Sequence, residues 1–67
     1  MYCGYQARLI DEYEDLRVKM GKLGHFLESE TYKTLDQDEQ VDLHEQLTHM
    51  QNYLAVLTRR LTRKGLI

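Results

Sequence analysis

The sequence predicts an all-α protein, an antiparallel αα-hairpin assembling into a homo-oligomeric helix bundle, and three observations carry that prediction. Leu43, Leu47, Met50, Leu54, Leu57 and Leu61 recur in alternating steps of four and three, the apolar seam of a coiled-coil-type helix. Leu9, Tyr13, Leu16, Met20, Leu23 and Leu27 repeat the rhythm upstream. The two seams also match in reverse: Leu9 with Leu61, Tyr13 with Leu57, Leu16 with Leu54, Met20 with Met50, Leu23 with Leu47 and Leu27 with Leu43. The residue numbers of every pair have the same sum, so two antiparallel helices place each pair at one height. The absence of proline suits long helices better than a sheet.

Helix 1 is expected over about residues 6–28, starting between Gly4 and Ala7. Its acids come early (Asp11, Glu12, Glu14, Asp15) and its bases late (Arg17, Lys19, Lys22, His25), which complements the helix dipole. The connector Glu30-Thr31-Tyr32-Lys33-Thr34 has room for one isolated helical turn. Asp36 then serves as N-cap of helix 2, with Glu39 three residues on in a variant of the capping box. Helix 2 is expected over about residues 37–64, with Gly65 placed to stop it. It repeats the charge order, Asp38, Glu39, Asp42 and Glu45 early and Arg59, Arg60, Arg63 and Lys64 late. In an antiparallel pair the acidic start of each helix faces the basic end of the other, so charge and apolar register agree. The 67 residues allow a single domain, 1–67.

Composition narrows the function. A net charge of -2 is unlike a general nucleic-acid binder, which is basic overall. Cys3 is the one cysteine, so no intramolecular disulfide can form. The start lacks the basic and apolar regions of a signal peptide, no run reaches the ~18 apolar residues of a membrane span, and no lipidation signal is present. These features lead to the expectation of a reduced, cytoplasmic protein with no membrane partner. A lone hairpin buries one stripe per helix, which leaves Tyr2, Tyr5, Ile10, Val18, Phe26, Val41, Tyr53, Val56, Leu66 and Ile67 off the seam. Self-association is the expected remedy.

Candidate chemistry is sparse. His44 and His49 are five apart, about 140° around a helix, whereas two zinc ligands on one face need a spacing of four. Both are read as solvent-facing, and His25 brings no metal set with it. Gly21-Lys22-Leu23-Gly24 has the glycine pattern of a backbone-clamping loop. Leu23 belongs to the seam, however, which places the stretch inside helix 1, where glycines let another helix approach closely. Asp11, Glu12, Glu14 and Asp15 read as a solvated charge face rather than acid–base catalysts. Ser29, Cys3 and the threonines have no His–Asp arrangement to activate them. No catalytic residue, metal ligand or cofactor is assigned, and an enzyme is not expected.

One cluster stands out, at the open end of the hairpin. The seam register brings Tyr5 and Arg8 to the end crowded by Arg59, Arg60, Arg63 and Lys64, with Tyr2 close by. Arginine forks match phosphate oxygens and tyrosine rings stack on bases. The competing reading is structural: arginines at a helix C-terminus serve the dipole and meet the acids of helix 1. Tyr53 joins the candidates because it flanks the seam where a neighbouring subunit would meet it.

Two runs carry a family resemblance: Arg8-Leu9-Ile10-x-Glu12-x-x-x-Leu16 with Lys22-Leu23-x-x-Phe26-Leu27, and Gln46-Leu47-x-x-Met50-x-x-Tyr53-Leu54-x-x-Leu57-x-x-Arg60. Over about residues 8–60 they resemble a family of very small tailed-phage proteins related to a crAss-like phage protein. In form and size the chain is also similar to phage anti-CBASS sponges, helical hairpins that oligomerise and sequester cyclic nucleotide signals of host immunity. That likeness implies a non-enzymatic homo-oligomer binding a small anionic, cyclic nucleotide ligand at subunit junctions. Phosphate would meet Arg8, Arg59, Arg60, Arg63 and Lys64, and a base would meet Tyr5 or Tyr53. The alternative is a protein-interaction module that docks a host or phage protein through Phe26, Tyr53 and Val56. Nucleic-acid binding through the basic end is a third and weaker reading.

Overall fold

The structure, a computed structural model, describes residues 4–67, and Tyr2 and Cys3 of the expectations above lie outside the described residues. It comprises α1 (Gly4–Leu27), α2 (Glu30–Lys33) and α3 (Gln37–Arg63). α1 and α3 pack against each other as the two arms of a rod measuring 47 × 17 × 15 Å. Side-chain bonds join Tyr5 near the start of α1 to Arg60 near the end of α3, and Glu12 to Tyr53, so the arms are antiparallel.

The seam residues make the core. Leu9, Leu16, Leu57 and Leu61 are buried, and Ile10, Tyr13, Met20, Met50, Leu54 and Leu66 pack against them. Both members of four matched pairs, Leu9–Leu61, Tyr13–Leu57, Leu16–Leu54 and Met20–Met50, thus lie in one cluster. Leu23, Leu27, Leu43 and Leu47, the seam nearest the connector, stay half-buried. Burial of apolar surface is therefore concentrated toward the open end, where removing a side chain costs most. Near the connector Gly21 and Gly24 contribute no side chain to α1. A Cβ built on either would meet nothing within 4 Å, so α3 is not a helix that these glycines admit to close approach. Both lie within helix rather than in a loop, so the backbone-clamping geometry suggested by their spacing is absent.

Local chemistry explains the boundaries from the end of α1 onward. Past Leu27 the helix tightens, Glu28 N–H donating to His25 O (3.2 Å) and Ser29 N–H to Phe26 O (2.9 Å). Ser29 Oγ donates to Phe26 O (2.6 Å) and accepts from Tyr32 N–H (3.2 Å), which closes α1 and caps α2 with one hydroxyl. Asp36 caps α3 by accepting from Glu39 N–H at 2.8 Å. The Gln40 amide donates to Tyr32 O and Leu35 O, both at 3.1 Å, fastening α2 to the first turn of α3. Phe26, Tyr32 and His44 then stack edge to face with centroids 6.4 and 5.7 Å apart, closing the connector end.

At the other end Gly65 adopts φ +70, a left-handed conformation that glycine accepts without a Cβ penalty. Leu66 N–H donates to Leu61 O and Gly65 N–H to Thr62 O, each at 3.0 Å, which is a Schellman motif. The motif turns Leu66 back onto the core beside Leu61. No helix among the described residues is long and apolar enough to cross a membrane.

Candidate ligand-binding site

α1 presents Tyr5, Arg8 and Glu12 on one side of its seam because they are three and four residues apart, and α3 with its C-cap presents Tyr53, Arg60 and Lys64 on the facing side because they are seven and four apart, two turns and one. The antiparallel pairing brings the two rows together. Arg60 Nη2 donates to Tyr5 Oη at 2.5 Å, with its guanidinium carbon 5.9 Å from the centre of the Tyr5 ring. Lys64 Nζ stands 5.2 Å from the same ring. Tyr5 thus gathers two cations, through its hydroxyl and through the negative face of its ring. Arg8 completes the end: its Nη1 lies only 3.5 Å from where a Cβ on Gly4 would stand, so its guanidinium folds back toward the first turn.

These side chains frame a small hollow of about 230 Å³ lined by Tyr5, Arg8, Leu9, Glu12 and Arg60. A second hollow of about 310 Å³ continues it along the same side, sharing Arg8 and Glu12 and adding Asp11, Asp15, Leu16, Lys19 and Tyr53. Tyr53 Oη donates to Glu12 Oε1 across the groove. A third, broader hollow of about 660 Å³ begins at Tyr53 and runs over Met50 to Asp42 and Glu45. One face of the hairpin therefore carries a groove of three adjoining hollows, with Arg8 and Arg60 at the open end and Asp42 and Glu45 toward the connector.

Among the residues singled out from the sequence, Tyr5, Arg8, Arg60 and Lys64 converge at the basic end, and Tyr53 stands one hollow further on. Arg59 and Arg63 do not join them. Both are exposed, and about 160° of helical rotation from the seam carries them to the outer surface of α3. Asp11, Glu12 and Asp15, read from the sequence as a solvated charge face, line the groove together with Lys19. The signal was present: Tyr5 with Arg60 and Glu12 with Tyr53 share one register, just as the seam pairs do.

The expected facing of acids and bases across the hairpin is not what ties its arms. The ion pairs among the described residues, Lys33–Glu30 at 3.2 Å and His49–Glu45 at 3.4 Å, each lie within a single helix. His44 and His49 are both exposed, and among the described residues no three His, Cys, Asp or Glu side chains are grouped to hold a metal ion.

Comparison with known proteins adds kinship to this geometry. The sequence profile of the Sequestin family matches residues 4–63, all of α1, α2 and α3. The chain belongs to the Sequestin family. It is also 39% identical, over 57 residues, to an uncharacterized 7.5 kDa protein from the denB–rIIB intergenic region of Enterobacteria phage T4. That match covers 85% of this chain and 89% of the phage protein. No solved structure matches this chain. The Sequestin assignment spans the residues that line the groove, from Tyr5 to Arg60, and the relative is a small phage protein.

Proposed function

We propose that the hairpin is a non-enzymatic phage accessory protein that sequesters a small anionic nucleotide, with a cyclic nucleotide immune signal of the host cytoplasm as its target. The observation that carries this reading is the convergence of Arg8, Arg60 and Lys64 around Tyr5 at one end of a groove. Among the described residues none of the three cations makes an ion pair, so an arriving phosphate need not displace a carboxylate. Arginine offers a planar fork to two phosphate oxygens and lysine a point charge. Tyr53, further along, offers a ring for a base. The family name, which speaks of sequestration, supports a binding role without chemistry.

Sequestration acts by mass. The protein must outnumber its target and hold it with a Kd below the concentration at which the signal acts, and no bond is made or broken. Self-association as a homo-oligomer would multiply the sites per particle. The test is a thermal melt of the full chain against cyclic di- and trinucleotides, linear nucleotides and short DNA. A ligand at a hundred times its Kd adds about 2.7 kcal/mol per site. A shift confined to one nucleotide class and lost in Arg60→Ala supports the reading, while a flat panel ends it.

A second reading has an observation of its own. Tyr53 and Val56 are 43% and 40% exposed on neighbouring turns of α3, a surface that suits docking of a host or phage protein. Phe26 would contribute less to it than its sequence position suggests, being half-buried against Tyr32. Retention of a partner that is insensitive to salt and lost in Tyr53→Ala would favour this role.

A further inference from the structure

The groove leaves Arg59 and Arg63 unused, and with them the end of the rod on which they stand. No Asp or Glu follows Glu45 in the sequence, whereas Arg59, Arg60, Arg63 and Lys64 crowd the end of α3. The seam register sets Arg8 level with Thr62, and Asp11 level with Arg59. From that level to the open end the described residues carry five cations, Arg8 and the four on α3 and its C-cap, against the one carboxylate of Asp11. At about 100° per residue the four spread over about 140° of rotation. Arg60 and Lys64 lean over the Tyr5 ring, while Arg59 and Arg63 stand exposed on the outer surface. Together with Arg8 they form a collar around the rod rather than a strip along one side. Past the collar the turn at Gly65 folds Leu66 onto the core and leaves Ile67 56% exposed, the most exposed large hydrophobic among the described residues.

We propose that this end is a peripheral membrane contact, the rod standing end-on against an anionic lipid surface. The collar lies at the level of the headgroup phosphates, and Ile67 enters the boundary of the acyl chains. Two features select a bilayer over other polyanions. A collar meets a plane on several sides at once, whereas a nucleic-acid strand is tracked by a groove along one side. Ile67 gains only where an apolar phase lies behind the phosphates, which neither a duplex nor a free nucleotide supplies.

The remaining charges permit this contact. Glu12, the first acid below the collar, is level with Thr58, about 9 Å along the axis from Lys64. That distance is about one Debye length at physiological salt, and Glu14 and Asp15 lie deeper. The net charge of -2 is therefore no measure of the charge that a surface meets at this end. The expectation of no membrane partner rested on signals for insertion and lipidation, which a peripheral contact does not need. Nor does it need a spanning helix, and no helix among the described residues is long and apolar enough to be one. Each cation near an anionic surface multiplies binding about fivefold. The contact is independent of nucleotide binding, since Arg59, Arg63 and Ile67 lie outside the groove.

The test is flotation of the full chain, without nucleotide, on vesicles of phosphatidylethanolamine with phosphatidylglycerol and on vesicles of phosphatidylcholine alone. Circular dichroism checks the fold of every variant. The wild type should bind the anionic vesicles about tenfold more tightly or better, and release them as salt rises. Arg59→Glu combined with Arg63→Glu should weaken that binding by about twentyfold or more. Arg59→Lys with Arg63→Lys should stay within about threefold of wild type, because a headgroup plane reads charge rather than the guanidinium fork. Ile67→Ser should weaken it by about fivefold or more with no change of charge. A wild type that ignores the anionic vesicles overturns the proposal. So does binding that keeps its full strength in the glutamate pair or in Ile67→Ser, or that the lysine pair abolishes. Short duplex DNA is a further arm: binding to DNA that the glutamate pair abolishes, with none to vesicles, would assign the collar to nucleic acid instead.

Discussion

Arg59 and Arg60 are neighbours in sequence, yet one turns to solvent and the other donates to Tyr5 at 2.5 Å. That difference sets the residue-scale predictions. Removing the Arg60 guanidinium takes away a charged donor at the basic end, and hydrogen bonds to charged groups are worth about 1.5–3 kcal/mol. Arg60→Ala should therefore lower affinity for the nucleotide found in the melt panel by about ten- to a hundredfold, and Arg59→Ala by less than threefold, both read by isothermal titration calorimetry. Equal losses would mean that the groove is not the binding surface. Leu57, fully buried, is a different case. Leu57→Ala should cost about 2–5 kcal/mol in urea unfolding, since it removes a core side chain and leaves a cavity. The burial of Leu57 was legible in sequence because the seam position is fixed by its matched partner Tyr13. Which of four clustered cations faces the groove was not, because that depends on a rotation of 100° per residue measured from the seam. The same rotation hid Glu12, whose charge suggested a solvated face and whose partner is a tyrosine hydroxyl on the other arm.

Local chemistry sets the boundaries on either side of the connector and at the end of α3, in helices that run over Gly4–Leu27 and Gln37–Arg63 where the sequence leads one to expect about 6–28 and 37–64. Asp36 caps α3 through Glu39 N–H, and Gly65 closes it in a left-handed conformation. α2 was legible only as room for one isolated turn in the connector; its cap, the Ser29 hydroxyl, is seen in the structure. Long-range details were less so: the Phe26, Tyr32 and His44 stack depends on where α2 folds over the connector, which no spacing in the sequence specifies. Two substitutions probe the elements themselves. Asp36→Ala should destabilise the fold by about 0.5–2 kcal/mol, the range for an N-cap loss. Gly65→Ala should cost about 1 kcal/mol, since a Cβ is disfavoured at positive φ and nothing else crowds that position. Urea midpoints measured at one protein concentration would read both. A Gly65→Ala protein as stable as wild type would mean that the Schellman turn does not hold Leu66 on the core.

At the scale of the molecule the dominant fact is how little this rod encloses. Among the described residues four side chains are buried, Leu9, Leu57 and Leu61 toward the open end and Leu16 at mid-height, while the seam leucines beside the connector remain half-covered. Domains of this size are marginal even when compact, and this one spreads its apolar residues along 47 Å. Its stability should accordingly belong in part to contacts between chains. If folding and dimerisation are one transition, a hundredfold rise in protein concentration adds about 2.7 kcal/mol per dimer by mass action. Dividing by the unfolding entropy expected of two such chains gives a rise in Tm of about 10 °C. Circular dichroism melts across that concentration range would read it directly. A Tm independent of concentration would show that the seam core alone sustains the fold. The half-covered leucines near the connector would then be open to ligand or protein partners, and the groove would have to be judged as a site on a free-standing monomer.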